Sequence, residues 1–190
     1  MITLFLISLI GYNFSFFLNL FNIYSGDKGI NYYGEAHLNS WNSLIHTIFM
    51  PFTTYGILLF FPNILYLKPK SASLLMSYIY VFYFYHYLSI NIFIGILFGL
   101  LYGCILNKSQ KTYSRSFKCF IKGITITITS LCIQEFIGHY CSSDIASREE
   151  GVINAILYAN YFALQSFVKM NYINCLGILF VISNILNKWI

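Results

Sequence analysis

Long apolar stretches with almost no charge constrain this chain more than any other feature of its sequence. Only 9% of the residues are charged and 58% are hydrophobic, whereas soluble domains have about 25% charged residues. A helix that crosses a membrane needs about 20 mostly apolar residues, because its backbone polar groups must be paired inside the bilayer. The sequence therefore predicts an all-α protein: a polytopic transmembrane bundle of about six to seven apolar helices, forming one membrane domain over residues 1–190.

Polar breaks between the apolar stretches predict where the helices lie. Residues 72–106 are too long for one span, so we expect a break near residues 89–91 and a hairpin of two helices. The remaining apolar segments cover 2–23, 44–62, 119–138, 151–168 and 171–187. The first lacks a basic start and is interpreted as an N-terminal span or signal anchor, and the last as a C-terminal span or an interfacial helix. Pro51 lies inside the second segment, where it frees a backbone carbonyl.

Three glycines in the predicted hairpin follow the pattern of closely packed membrane helices. Gly95, Gly99 and Gly103 recur at every fourth position. Small residues at this spacing let two helix backbones approach one another. We therefore expect this stripe to face a neighbouring helix.

Positive charge is concentrated in two predicted loops. Lys68 and Lys70 lie in the first loop, and the second stretch contains Lys108, Lys111, Arg115, Lys118 and Lys122. The positive-inside rule places both loops on one side of the membrane. No basic stretch is separate from the spans, which argues against nucleic-acid binding. This topology predicts that the chain's histidines gather at the opposite membrane face. They are His37, His46, His86 and His139.

Two short motifs hold most of the residues that could bind a metal. The first contains His37, Asn42, His46 and Pro51, and the second contains Gln134, Glu135 and His139. Asn42 and His46 are four residues apart, as are Glu135 and His139, so each pair is expected to share a helix face. An amide or carboxylate so placed can fix the tautomer of a metal-binding histidine.

The residue types in these motifs suit a transition metal. Neutral imidazoles bind Fe(II) and Zn(II), so His37, His46, His139 and His86 are candidate ligands. Glu135 is a candidate acid or base. Polar groups kept in lipid-buried segments are costly and indicate function. Two alternatives stay open: a non-enzymatic lipid-binding or scaffold protein with interfacial histidines, and a haem-binding helix bundle with two histidines as axial ligands.

The order and spacing of the two motifs resemble the 2-hydroxy fatty acid dioxygenase family of small endoplasmic-reticulum membrane proteins. The opening pattern H-x4-N-x3-H-x4-P is met by His37, Asn42, His46 and Pro51. The stretch QEFIGH at 134–139 resembles the family's later motif of Gln and Gly-His. The resemblance covers roughly residues 30–168.

This resemblance implies a multi-pass membrane enzyme of the endoplasmic reticulum. Such enzymes use Fe(II) and O2 to shorten a 2-hydroxy fatty acid by one carbon, in fatty-acid α-oxidation. By resemblance, three histidines would bind the iron or act directly, with two amides beside them. The histidines are His37, His46 and His139, and the amides are Asn42 and Gln134. Asp144 stands where the family often has a glutamate, Asn160 replaces a later proline, and His86 has no counterpart.

Overall fold

The computed structural model of the chain describes Gly34, His37, residues 39–142 and residues 151–169. All regular structure in these residues is helical, which confirms the all-α class. Five α-helices and one π-helical segment follow one another. The predicted segments 2–23 and 171–187 and the residue Asp144 lie outside the described residues.

The helix boundaries lie close to the predicted breaks. The helices are α1 (Ser40–Ile64), α2 (Pro69–Ile90), α3 (Ile92–Thr112), α4 (Phe117–Cys132), the π-segment (Ile133–Tyr140) and α5 (Gly151–Lys169). Side chains that accept backbone N–H groups begin three of them. Asn39 accepts from the N–H of Trp41 before α1, Asn91 caps α3, and Ser116 caps α4. Asn91 separates α2 from α3, which confirms the expected break near residues 89–91.

Three of the described helices are long and apolar enough to cross a membrane. They are Ser40–Ile64, Ile92–Thr112 and the continuous stretch Phe117–Tyr140, in which the π-segment extends α4. Helices of this length and composition are compatible with membrane association.

The two basic loops lie side by side at one end of the bundle. The side-chain amide of Asn63 donates to the carbonyl of Ser114, 3.2 Å away. The hydroxyl of Tyr113 donates to the carbonyl of Leu67 over 2.9 Å. The histidines of α1 and of the π-segment therefore lie towards the other end of their helices, as the charge pattern predicted.

Helix α1 is central and contacts every other element. It approaches α4 most closely where two glycines face each other. A Cβ atom on Gly56 would lie 2.7 Å from the carbonyl oxygen of Gly123 and 2.9 Å from the backbone nitrogen of Thr127. Real Cβ atoms essentially never come this close to other atoms. The sequence analysis did not single out this pair, because the glycines lie far apart in the chain.

The predicted glycine stripe of α3 packs against α2. Gly95 faces Leu88, and Gly99 faces the ring of Phe84. A Cβ atom on Gly103 would lie 3.3 Å from the hydroxyl of Tyr80. These contacts confirm the packing role that the spacing predicted.

Buried hydrogen bonds connect α5 to α1, α2 and α3. The hydroxyl of Tyr102 donates to Asn160 Oδ1 over 2.7 Å, and the hydroxyl of Thr54 donates to the same oxygen over 3.1 Å. Tyr87 donates to the carbonyl of Leu157 over 2.7 Å. Such bonds fix helix positions inside an apolar bundle, where unpaired polar groups are costly. They hold α5 against the middle of α1 and against α2 and α3.

Candidate metal centre

His37, His46 and His139 come together from three separate parts of the chain. Each offers one ring nitrogen, and these nitrogens all lie within 4.8 Å of one another. The Nε2 atoms of His37 and His46 are 3.2 Å apart. All three side chains are buried, with 3–4% of their surface exposed. This group could hold a metal ion.

The spacing of the first two nitrogens suits a shared ion. A histidine nitrogen binds zinc at about 2.0–2.1 Å, so two nitrogens on one ion lie roughly 3 Å apart. The 3.2 Å between His37 and His46 matches that separation. The ring of His139 lies 4.7 Å from that of His37 and 5.1 Å from that of His46, centroid to centroid.

Short-range contacts hold His37 over the beginning of α1. Its backbone N–H donates to the carbonyl of Gly34 over 3.0 Å. Its own carbonyl accepts from the hydroxyl of Ser43 over 3.1 Å. The ring packs against Phe162 of α5, with 5.0 Å between the centroids. His37 is thus positioned by both α1 and α5, and it faces His46 in the second turn of α1.

The π-helical winding at Ile133–Tyr140 turns His139 towards the group. Gln134, Gly138 and His139 are buried here, while Glu135 and Phe136 are exposed. A π-helix pairs residues five positions apart, which places them on nearly the same face. In an α-helix, by contrast, two residues five positions apart would be about 140° apart around the helix axis. The wider turn therefore lets Gln134 and His139 both face α1.

Two buried amides contact the histidine rings. Asn42 Nδ2 lies 3.2 Å from His139 Nδ1, and a flip of the amide would present its oxygen to that nitrogen instead. Gln134 lies beside His46. The Gln134 nitrogen donates to Thr53 Oγ1 over 2.9 Å and to the carbonyl of Ser130 over 3.1 Å. Its oxygen is therefore the atom that could accept a hydrogen bond from His46.

A hydrogen bond to this oxygen would favour one tautomer of His46. Because Nε2 of His46 faces His37, the nitrogen that would donate to Gln134 is Nδ1. The proton would then sit on Nδ1, and the lone pair of Nε2 would face the other histidines. Metal-binding histidines are commonly held in this way by a partner on the second nitrogen.

His86 and Glu135 lie outside this group. His86 is buried against other rings, 5.9 Å from Phe82 and 5.6 Å from Tyr158 by their centroids. The four-residue spacing had led us to expect Glu135 on the same helix face as His139. Instead, Glu135 is exposed and His139 is buried. The buried face of the π-segment is formed by Gln134, Gly138 and His139, and Glu135 lies beyond its edge. Among the described residues, no carboxylate joins the three histidines.

Sequence reasoning missed two residues that shape the site. Thr53 lies seven positions after His46, on the same face of α1, and accepts the amide of Gln134. Gly138 lies so close to α1 that a Cβ atom there would be 2.6 Å from Asn42 Oδ1. The spacing on α1 could have pointed to Thr53, but only the helix contact reveals why residue 138 is a glycine.

No protein family, curated protein or solved structure matches the chain. Over the described residues, fold and site together define a helical protein in which three helices are long and apolar enough to cross a membrane. It has a buried three-histidine group that could hold a metal ion.

Proposed function

We propose that the protein is an Fe(II)-dependent dioxygenase that shortens 2-hydroxy fatty acids by one carbon. We place it in the endoplasmic-reticulum membrane as a multi-pass protein. The observation that carries the proposal is the meeting of His37, His46 and His139 in one buried group. The order of the two motifs, which resembles the 2-hydroxy fatty acid dioxygenase family, supports the choice of metal and reaction.

In this proposal the three histidines hold the iron, and Gln134 and Asn42 orient two of them. When bound, Fe(II) would supply the oxygen chemistry that protein side chains lack. Imidazole is a neutral ligand, and no described carboxylate joins the group. The ligands would therefore not neutralise the charge of a bound cation. In a buried site this positive charge would strongly attract an anion. The carboxylate of a 2-hydroxy acid meets that requirement.

The reaction balances without an external reductant. A 2-hydroxy acid and O2 yield the acid that is one carbon shorter, carbon dioxide and water. The bond between the carboxyl carbon and the hydroxyl-bearing carbon breaks, and dioxygen is reduced as both carbons are oxidised. The buried histidine group would exclude bulk water from this step.

The geometry favours a single ion over haem. Two axial histidines lie on opposite faces of a haem plane, so their rings cannot touch. Here the rings of His37 and His46 are in direct contact, with 4.3 Å between their centroids. A lipid-binding or scaffold protein without a metal is the remaining competitor, and a metal measurement separates it from the enzyme.

The test uses the full-length protein, purified without oxygen in lipid nanodiscs. Metal content is measured by mass spectrometry, and 2-hydroxypalmitate is supplied with O2. We expect bound iron and an odd-chain acid as product. His46→Ala and His139→Ala should lose both. His86→Ala is the matched control, because it removes a histidine that is equally buried but lies outside the group.

Protein without iron, or normal turnover in His46→Ala and His139→Ala, would overturn the proposal. Bound zinc without oxygen consumption would point to a different metal chemistry at the same group. A haem absorbance band would favour the haem-binding alternative.

A further inference from the structure

Seven basic side chains lie at the end of the bundle that is opposite the histidine group. They belong to the two loops that hydrogen bonds hold side by side, and to the helix turns next to those loops. We call this surface the basic end, and its charged residues are Lys68, Lys70, Lys108, Lys111, Arg115, Lys118 and Lys122. The single carboxylate side chain of the described residues, Glu135, lies in the π-segment. No described acidic side chain therefore neutralises the charge of the basic end.

Contacts from the first loop hold Arg115 of the second loop in place. The side-chain nitrogen of Asn63 donates to the carbonyl of Ser114 over 3.2 Å, and its oxygen accepts from the N–H of Ser116 over 3.2 Å. The guanidinium of Arg115 lies over the ring of Tyr66, with 4.8 Å between Cζ and the ring centroid. Such a cation is attracted to the face of the ring. The guanidinium is therefore positioned in advance, and its planar set of N–H donors suits the oxygens of a phosphate.

Tyr66 occupies a backbone position that normally favours glycine. It follows the end of α1, and its φ of 53° is in the left-handed region, which is strained for a residue with a Cβ atom. The side chain is 73% exposed, so core packing does not require a tyrosine here. The ring does support the guanidinium of Arg115. Strained positions of this kind cluster at ligand-binding sites, which makes the pair of side chains a candidate site for an anion.

Large apolar side chains are exposed beside the basic residues. They are Ile64 and Leu65 at the end of α1 and Phe117 at the start of α4. Both helices belong to stretches that are long and apolar enough to cross a membrane. Positive charge next to exposed apolar groups at the ends of such helices fits the boundary between lipid head groups and hydrocarbon. A water-soluble anion would leave the apolar groups uncovered, whereas an anionic lipid offers partners to both kinds of side chain.

We propose that the basic end binds an anionic phospholipid, with the head-group phosphate on the guanidinium of Arg115. The acyl chains lie along Leu65 and Phe117, and the lysines add a general attraction. Each basic residue near an anionic membrane surface favours binding about fivefold. Anionic lipids are concentrated in the cytoplasmic leaflet, which is the side where the positive-inside rule places these loops. This binding site is independent of the proposed dioxygenase.

Native mass spectrometry of the full-length protein in detergent measures the lipid preference without any need for iron. The delipidated protein is offered an equimolar mixture of phosphatidylglycerol and phosphatidylcholine that carry the same acyl chains, and the bound lipids are counted. We expect phosphatidylglycerol to bind at least about fivefold more tightly than phosphatidylcholine. Equal binding of the two lipids would overturn the proposal.

Arg115→Gln and Lys169→Gln provide a matched pair. Each removes one positive charge from an exposed side chain, but Lys169 lies at the end of α5, outside the basic end. We expect Arg115→Gln to weaken the binding of phosphatidylglycerol about fivefold and to leave that of phosphatidylcholine unchanged. Lys169→Gln should change neither. Equal losses in the two variants would show an attraction to net charge alone and would overturn the site at Arg115.

Tyr66→Gly tests how Arg115 is positioned without straining the fold, because glycine adopts the left-handed conformation readily. Thermal stability should change little, while loss of the ring should weaken the binding of phosphatidylglycerol about two- to fivefold. An unchanged affinity would overturn the role of the ring. Displacement of phosphatidylglycerol by millimolar inorganic phosphate would overturn the choice of a lipid as the ligand. None of these measurements involves iron or turnover, so a failure here leaves the dioxygenase standing, and the reverse also holds.

Discussion

The closest contact between the π-segment and α1 leads to a sharp prediction for Gly138→Ala. The added Cβ would lie 2.6 Å from Asn42 Oδ1, whereas ordinary contact begins at 3.4 Å, a shortfall of about 0.8 Å. Asn42 is fully buried, so its amide cannot swing out into solvent. The contact with His139 at 3.2 Å must therefore change.

The expected effects on folding and on metal binding differ in size. Overpacking a buried site costs about 1–3 kcal/mol, and replacing a helical glycine by alanine returns about 1 kcal/mol. The free energy of unfolding should thus fall by no more than about 2 kcal/mol. Displacing a partner of a metal-binding histidine lowers metal affinity about 10–100-fold. We expect the loss in iron affinity to dominate.

Iron affinity is measured by competition with a chelator, on full-length protein in nanodiscs without oxygen, and stability by thermal unfolding of the metal-free protein. Gly103→Ala is the matched control, because its Cβ would lie 3.3 Å from the movable hydroxyl of Tyr80. Asn42→Ala removes the clashing oxygen. Adding Gly138→Ala to Asn42→Ala should therefore cost little more affinity than Asn42→Ala alone.

Wild-type iron affinity in Gly138→Ala would refute this reasoning. So would strictly additive losses in the double variant, since they would show that residue 138 does not act through Asn42.

Three further substitutions test other parts of the structure. Gln134→Leu removes the amide beside His46, so we expect an iron affinity about 10–100-fold lower in the same chelator competition; an unchanged affinity would count against the amide's role. Gly56→Ala should lower the free energy of unfolding by about 1–3 kcal/mol or more, as measured by thermal unfolding. Two of the three nearest atoms belong to the backbone of α4 and cannot rotate away, so an unaltered midpoint would contradict the close approach. Glu135→Gln should leave iron content and turnover unchanged, because Glu135 is exposed outside the histidine group; lost turnover would assign it a part in the reaction.

Much of the fold could be predicted from local sequence. Apolar length predicted the helices, and the polar break at Asn91 predicted the turn between α2 and α3, because such signals act within a few residues. The approach of Gly56 to Gly123 could not be predicted, because the two glycines are 67 positions apart in the chain and their contact depends on how their helices cross. The π-winding was also missed, since it reflects contacts of the whole segment with α1.

For the candidate site, the sequence by itself determined which chemistry was available and at which end of the helices it lay. Imidazoles in two motifs and lysines in two loops are properties of composition and order. Only the tertiary structure decided which side chains meet. It brought His37, His46 and His139 together and left His86 among aromatic rings. A membrane face holds many residues, but a metal needs nitrogens within a few ångströms, and such distances depend on helix winding and packing.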